Sequence, residues 1–275
     1  RDDIEAVWNA VVRYYRLRLQ PAMTLCIRYR GQVVIDRSIG YARGAGPDDP
    51  SDAERTMARP DTLFSLFSAS KVVTGILTHT LLDEGLIDID TPVAEYVPGF
   101  GQHGKDQITL RHVLAHQAGL ARTPRETVNL ENLHDFRLVE EALIKAPIQT
   151  PPGEQVAYHA LTGCFILQAV LQNVTGKDLR TLLDERIRGP LGLNHFTYGV
   201  EADLVDQVAQ ECMTGPPPAE PFAGWMEEAL GIPLTDAVSM SNDPKYLTGV
   251  MPAANVVSTA NEVSLFFECL LRGAR

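Results

Sequence analysis

Phe67-Ser68-Ala69-Ser70-Lys71 opens a run in which Val72, Val73, Ile76, Leu77, Leu81 and Leu82 recur with helical periodicity. Ser68 and Lys71 form a Ser-x-x-Lys pair at its start. Residues three apart on a helix project from one face, so the hydroxyl and the amine can meet. A serine hydroxyl attacks poorly until a base takes its proton. Lysine is such a base only when desolvation or a nearby cation lowers its pKa. The first turn of a helix adds unpaired backbone N–H groups and the positive end of the dipole, which favour an oxyanion. The same residues fit a plainer reading, with Ser68 as an N-cap and Lys71 as a solvated helix residue. Nine serines and five lysines make a chance pair easy, so other stretches must decide.

A chain of 275 residues holds one large domain or two lobes sharing a core. Its composition, 45% hydrophobic and 21% charged, is that of a water-soluble globular protein. A net charge of −11 argues against a nucleic-acid partner or an anionic membrane surface, either of which wants a basic patch. Cys26, Cys164, Cys212 and Cys269 are scattered, with no Cys-x-x-Cys, and read as buried free thiols of a reducing compartment. A cytoplasmic location is expected. No signal peptide is visible, although a chain that begins at Arg1 without methionine is expected to have been trimmed. The uncharged run from Gln155 to Gly176 reaches spanning length, but Gln155, His159, Gln168, Gln172 and Asn173 interrupt it, so a buried helix is expected.

Residues 2–19 read as an amphipathic helix, with Ile4, Val7, Trp8, Val11 and Tyr15 on one face. Met23–Tyr29 and Val33–Ile39 read as a hairpin joined at Arg30-Gly31-Gln32. Residues 42–60 read as a loop, and Gly85 ends the Ser68 helix. Helices are expected near 110–116, 134–145, 161–174, 177–187 and 260–271, with 200–245 irregular around Gly215-Pro216-Pro217-Pro218. Two strands alone do not make a stable sheet, so further strands are expected.

With these residues in hand, the chain resembles the serine β-lactamase-like superfamily, and within it the family VIII carboxylesterases, relatives of class C β-lactamases and penicillin-binding proteins. The matching stretches are Asp61-Thr62-Leu63-Phe64 through Lys71, Ile108-Thr109-Leu110-Arg111-His112-Val113-Leu114-Ala115-His116 with its Gly119-Leu120 turn, and Pro152-Gly153-Glu154 leading to Tyr158. Gly189-Pro190-Leu191-Gly192-Leu193 and residues 253–260 continue the match in order. The resemblance implies an α+β, β-lactamase/transpeptidase-like fold: an antiparallel sheet flanked by helices plus a mostly helical lobe. Residues 1–64 with 246–275 would form the α/β lobe. Residues 65–200 would form the helical lobe carrying the nucleophile, and 201–245 an irregular excursion serving as pocket wall or lid. The α/β lobe is expected to be incomplete, its C-terminal strands lying outside this sequence.

Tyr158 stands where the family's second motif begins, 90 residues after Ser68. By that resemblance Tyr158 is general base and then acid, Ser68 the nucleophile and Lys71 their partner. Tyr158 otherwise reads as a buried aromatic with a satisfied hydroxyl. Class C lactamases usually carry asparagine two residues later. Here the segment is Tyr158-His159-Ala160, and alanine cannot hydrogen-bond a β-lactam amide, which points to esters. His159 either lines the substrate site or is a structural histidine. The third motif (Lys-Thr-Gly, His-x-Gly or Trp-Gly-Gly on a strand) is expected beyond Arg275, since Lys245-Tyr246-Leu247-Thr248-Gly249 has the wrong spacing. Without the oxyanion N–H of that strand, rates typically fall by about 10²–10³.

His112 and His116 have a zinc-compatible spacing but no intervening His-Glu-x-x-His glutamate, and a packing role is expected. No Gly-x-Ser-x-Gly elbow, phosphate loop or dinucleotide fingerprint occurs. The expected protein is therefore a cofactor-free serine hydrolase acting on short-chain carboxylic esters, with a homo-oligomer as one expected form. A β-lactamase or D-Ala-D-Ala peptidase, or a non-catalytic penicillin-binding-like module, is the alternative.

Overall fold

The computed structural model describes residues 2–124, 128 and 132–273, so Arg1 and Arg275, the expected limits of the α/β lobe, lie outside the described residues. Helix α1 (Asp2–Tyr15) precedes strands β1 (Ala22–Tyr29) and β2 (Gln32–Arg43), which pair antiparallel. Arg30 and Gly31 both have positive φ, 51° and 83°, as a two-residue hairpin turn of matching twist demands. The short strand β3 (Thr56–Met57) adds to β2, within the segment expected to be loop. Glycine 40 and Tyr41 carry β2 beyond the expected Ile39, because Tyr41 has a partner in Met57.

A second antiparallel sheet has the order β4 (Phe64–Ser65), β6 (Val256–Ser258), β5 (Thr197–Tyr198). It is small and central. Helix α2 (Ser70–Asp83) leaves β4 through a 3₁₀ turn over Phe67–Ala69 and packs on α6 (Thr162–Thr175). Thr162 through Leu171 are all buried, as befits a helix that is apolar on every side. That accounts for the long uncharged run, and among the described residues no helix is long and apolar enough to cross a membrane.

Around α6 stand α3 (Val93–Tyr96), α4 (Leu110–Leu114), α5 (Phe136–Lys145) and α7 (Leu179–Leu183). A π-helical turn over Asp184–Arg188 leads into α8 (Gly189–Leu191). The 201–245 stretch is more helical than its composition suggests. It holds a 3₁₀ segment at Ala202–Gln207, α9 (Phe222–Leu230), α10 (Leu234–Met240) and the start of α11 (Pro244–Thr248). Helices of five to nine residues carry too few turns for a period to show. Lys245 through Thr248 lie in α11, a helix, and so do not supply the strand of the third motif. Helix α12 (Ala260–Arg272), capped by Thr259, packs on β1. Of the four free thiols only Cys164 is buried; the others are half-buried, a correction to the expectation that all four lie inside.

Candidate active site

Ser68 lies in the 3₁₀ turn and Lys71 in the first turn of α2. Phe67, immediately before the serine, has φ +43°, a left-handed conformation that costs a bulky residue about 1–3 kcal/mol. That bend carries the chain from β4 into α2 and leaves Ser68 exposed at its crest. The turn is fastened from behind. Leu66 donates its N–H to Val256 O at 2.8 Å, and the buried Ser70 Oγ accepts the Val256 N–H at 2.9 Å.

Three groups converge. Lys71 Nζ donates to Ser68 Oγ at 3.0 Å, and the Tyr158 hydroxyl donates to the same oxygen at 2.8 Å. Lys71 Nζ also donates to Ala253 O at 3.0 Å and lies 5.1 Å from the centre of the Tyr158 ring. Lys71 is thus held by the serine, a backbone carbonyl and an aromatic face, with no carboxylate among these contacts.

The Ala253 carbonyl is itself clamped. Asn255, fully buried, donates through Nδ2 to Tyr246 O at 2.8 Å and Gly249 O at 3.0 Å. Its Oδ1 accepts the Met251 N–H at 2.8 Å. Tyr246 donates its hydroxyl to Ala254 O at 3.0 Å, and Thr74, buried in α2, donates to Pro252 O at 2.6 Å. Sequence reasoning passed over this bend because the group that meets Lys71 is main chain, which no side-chain pattern announces.

Tyr158 sits on a loop, yet its neighbours on both sides are tied to His116. Ala157 donates its N–H to His116 O at 3.0 Å, and His159 donates its N–H to His116 Nδ1 at 3.2 Å. The His116 ring meets the Tyr158 ring edge-on, with centroids 5.2 Å apart. Burial, and then the Lys71 charge, push the His116 pKa down, which keeps Nδ1 available as an acceptor. His116 has φ +57°, a second strained residue at the same site. His112 instead closes a capping box with Thr109.

His159 does not reach the cleft. It is fully buried, Nδ1 donates to Ala157 O at 2.6 Å, and Nε2 accepts the Leu120 N–H at 3.1 Å. Burial, foremost, drives its pKa down to about 4, so the ring is neutral and has no atom left for a substrate. Of the two readings left open by the sequence, the structural one holds; the substrate-binding assignment of His159 is withdrawn. Ala160 is likewise buried.

Two recesses flank the triad. One is apolar and is walled by Phe67, Leu161, Phe165, Met240, Met251 and Ala253 among others. The other is wider and has Tyr158, Val156, Phe222, Trp225 and Met226 on its walls.

A serine oxygen receiving both an amine and a phenol on one strained turn is a candidate nucleophile, and the chain can be placed among known proteins. Residues 11–275 match the beta-lactamase family. The chain belongs to that family. LipL of Mycobacterium tuberculosis H37Rv, described as an esterase/beta-lactamase, is 33% identical over 262 residues, covering 90% of this chain and 58% of LipL. Esterase EstB of Burkholderia gladioli is 26% identical over 289 residues, covering 97% of this chain and 69% of EstB. Among solved structures, a penicillin-binding protein homologue from Caulobacter crescentus superposes with a TM-score of 0.82 at 27% identity, over 100% of this chain and 71% of that one. A family VIII carboxylesterase gives 0.83 at 27% identity, over 99% and 70%. The chain thus spans 58% of LipL and about seventy per cent of these solved relatives. As a member of the beta-lactamase family, the chain has the β-lactamase/transpeptidase-like fold.

Proposed function

We propose that this beta-lactamase family member is a carboxylesterase that cleaves short-chain carboxylic esters through an acyl-enzyme on Ser68. The observation that carries the reading is the pair of hydrogen bonds, from Lys71 Nζ and the Tyr158 hydroxyl, that converge on Ser68 Oγ. In the proposed cycle the reacting form of the Lys71–Tyr158 pair carries one proton fewer than ammonium plus phenol, and the Ser68 hydroxyl gives its proton to that pair as Oγ attacks the ester carbonyl. The tetrahedral oxyanion forms against the Ser68 N–H at the start of the helical turn. Tyr158 passes the proton to the departing alkoxide oxygen, which leaves as the alcohol. Water then attacks the acyl-Ser68 ester, its proton following the same route, and the carboxylic acid and free serine are released. None of these steps calls on a cofactor.

The name of esterase EstB supports this choice over a lactamase, as does Ala160 at the position where class C lactamases usually carry asparagine, while LipL is named for both activities. The test compares hydrolysis of p-nitrophenyl butyrate with that of a chromogenic cephalosporin, for the wild type and for Ser68→Ala. Ester turnover exceeding cephalosporin turnover by about 10² or more, lost in Ser68→Ala, is expected, together with a single serine-directed phosphonate adduct on Ser68. A reversed preference would make the protein a lactamase, and absence of any adduct would make it a non-catalytic module.

A further inference from the structure

The recess with Tyr158 on its wall has a chemistry of its own. Phe222, Trp225 and Met226 project into it from α9, and Trp225 is 64% exposed, unusually high for so large an apolar ring. Val156, 68% exposed, faces the same space from the loop that carries Tyr158. Gln149, Thr150 and Gln155 add polar groups to its lining. Helix α9 is fixed there rather than merely lying near: Arg122 forms an ion pair with Glu228, and Thr123 donates its hydroxyl to Ala229 O at 3.3 Å.

Which part of an ester would enter follows from the proton inventory. The leaving oxygen must end within hydrogen-bond reach of the group that protonates it. The Tyr158 hydroxyl lies 2.8 Å from Ser68 Oγ, and Tyr158 lines this recess but not the apolar one walled by Phe67 and Ala253. The alcohol therefore departs on the Trp225 side and the acyl chain lies on the Phe67 side.

We infer that the recess between Tyr158 and α9 is a leaving-group site for aromatic alcohols, with Trp225 as the stacking surface that selects them. The inference rests on the esterase reading above. An aromatic ring on an indole gains both area and quadrupole complementarity, which an ethyl group cannot match.

Benzyl acetate and ethyl acetate test it, because both deliver the same acetyl-enzyme and differ only in the group that leaves. The wild type should favour benzyl acetate in kcat/KM. Trp225→Ala should lower the ratio of kcat/KM for benzyl acetate to that for ethyl acetate roughly tenfold, with Trp225→Phe restoring much of that ratio. The inference is overturned if Trp225→Ala lowers both esters equally or neither. A second readout needs no turnover: in a Trp8→Phe chain, where Trp225 is the remaining tryptophan, 4-nitrobenzyl alcohol should quench the indole emission saturably. Quenching that is linear and matches free tryptophan would also overturn it. Ser68→Ala is the separate control for the esterase reading; hydrolysis surviving that change refutes the chemistry, while the quenching experiment still judges the groove.

Discussion

At the scale of single residues, Tyr158 and His116 carry the argument. Tyr158→Phe removes the hydroxyl that donates to Ser68 and should lower kcat by about 10²–10⁴ with little change in folding. His116 touches no substrate in the proposed cycle; it holds the loop on both sides of Tyr158 and is a positioning residue. Protonating it would remove the acceptor for the His159 N–H and place a second cation near Lys71. Its pKa is held below the usual 6.5, so it stays neutral at and above that pH and the acid limb of kcat/KM should lie lower still. His116→Ala should lower kcat several-fold and change the shape of that limb, a readout in the pH–rate profile that simple loss of packing would not give. Ser68, Lys71 and Tyr158 were legible in sequence because Ser-x-x-Lys is a local spacing and Pro-Gly-Glu marks the approach to the tyrosine. His159 was not. Whether a side chain next to a catalytic loop residue faces the cleft or the core depends on backbone contacts with Leu120 and His116, which lie some forty residues away.

At the scale of elements, the bend from Met251 to Asn255 decides where the Ala253 carbonyl points. Asn255 makes three hydrogen bonds while fully buried, so Asn255→Ala leaves backbone groups unpaired. A loss of about 2–4 kcal/mol in unfolding free energy is expected, measured by urea titration. Because the bend holds Lys71, kcat should fall in the surviving folded fraction as well. Elements of ten residues or more announce themselves in different ways, α2 by periodic apolar positions, α6 by an unbroken uncharged run closed at Gly176, and α12 by its Thr259 cap. The short helices α9, α10 and α11 lie among prolines and glycines, and α9 and α10 have no buried residue. An apolar face that meets a recess rather than the core leaves a pattern that resembles loop.

At the scale of the whole molecule, two titratable groups, the fully buried His159 and the half-buried Glu211, pull stability in opposite directions across the same pH range. His159 is held down to about 4, below its unfolded value near 6.5. Its contribution is present above pH 6.5 and is lost as pH falls toward 4. Burial pushes the Glu211 carboxyl up to about 7, above its unfolded value near 4.5. Its contribution is present below pH 4.5 and is lost as pH rises through 7. Each is worth on the order of 1–3 kcal/mol, so the wild type should show a broad, flat maximum of thermal stability between them. Glu211→Gln should raise Tm at pH 8 and leave Tm at pH 4.5 nearly unchanged, which differential scanning across pH would read directly. The sequence holds no hint of this balance, since neither residue lies in a motif that speaks of burial.

Phe67 has two duties that no designer would choose to combine. Its backbone is the crook that aims the serine outward, and its ring is part of the floor beneath the apolar recess. If the proposed esterase reading holds, trimming that ring to make room for larger acids would also disturb the aim of Ser68, so breadth of acyl preference and speed of attack would be traded at one position. Remodelling of acyl preference by mutation should accumulate on the far wall, at Ala237 and Met240, where space can be changed without touching the trigger.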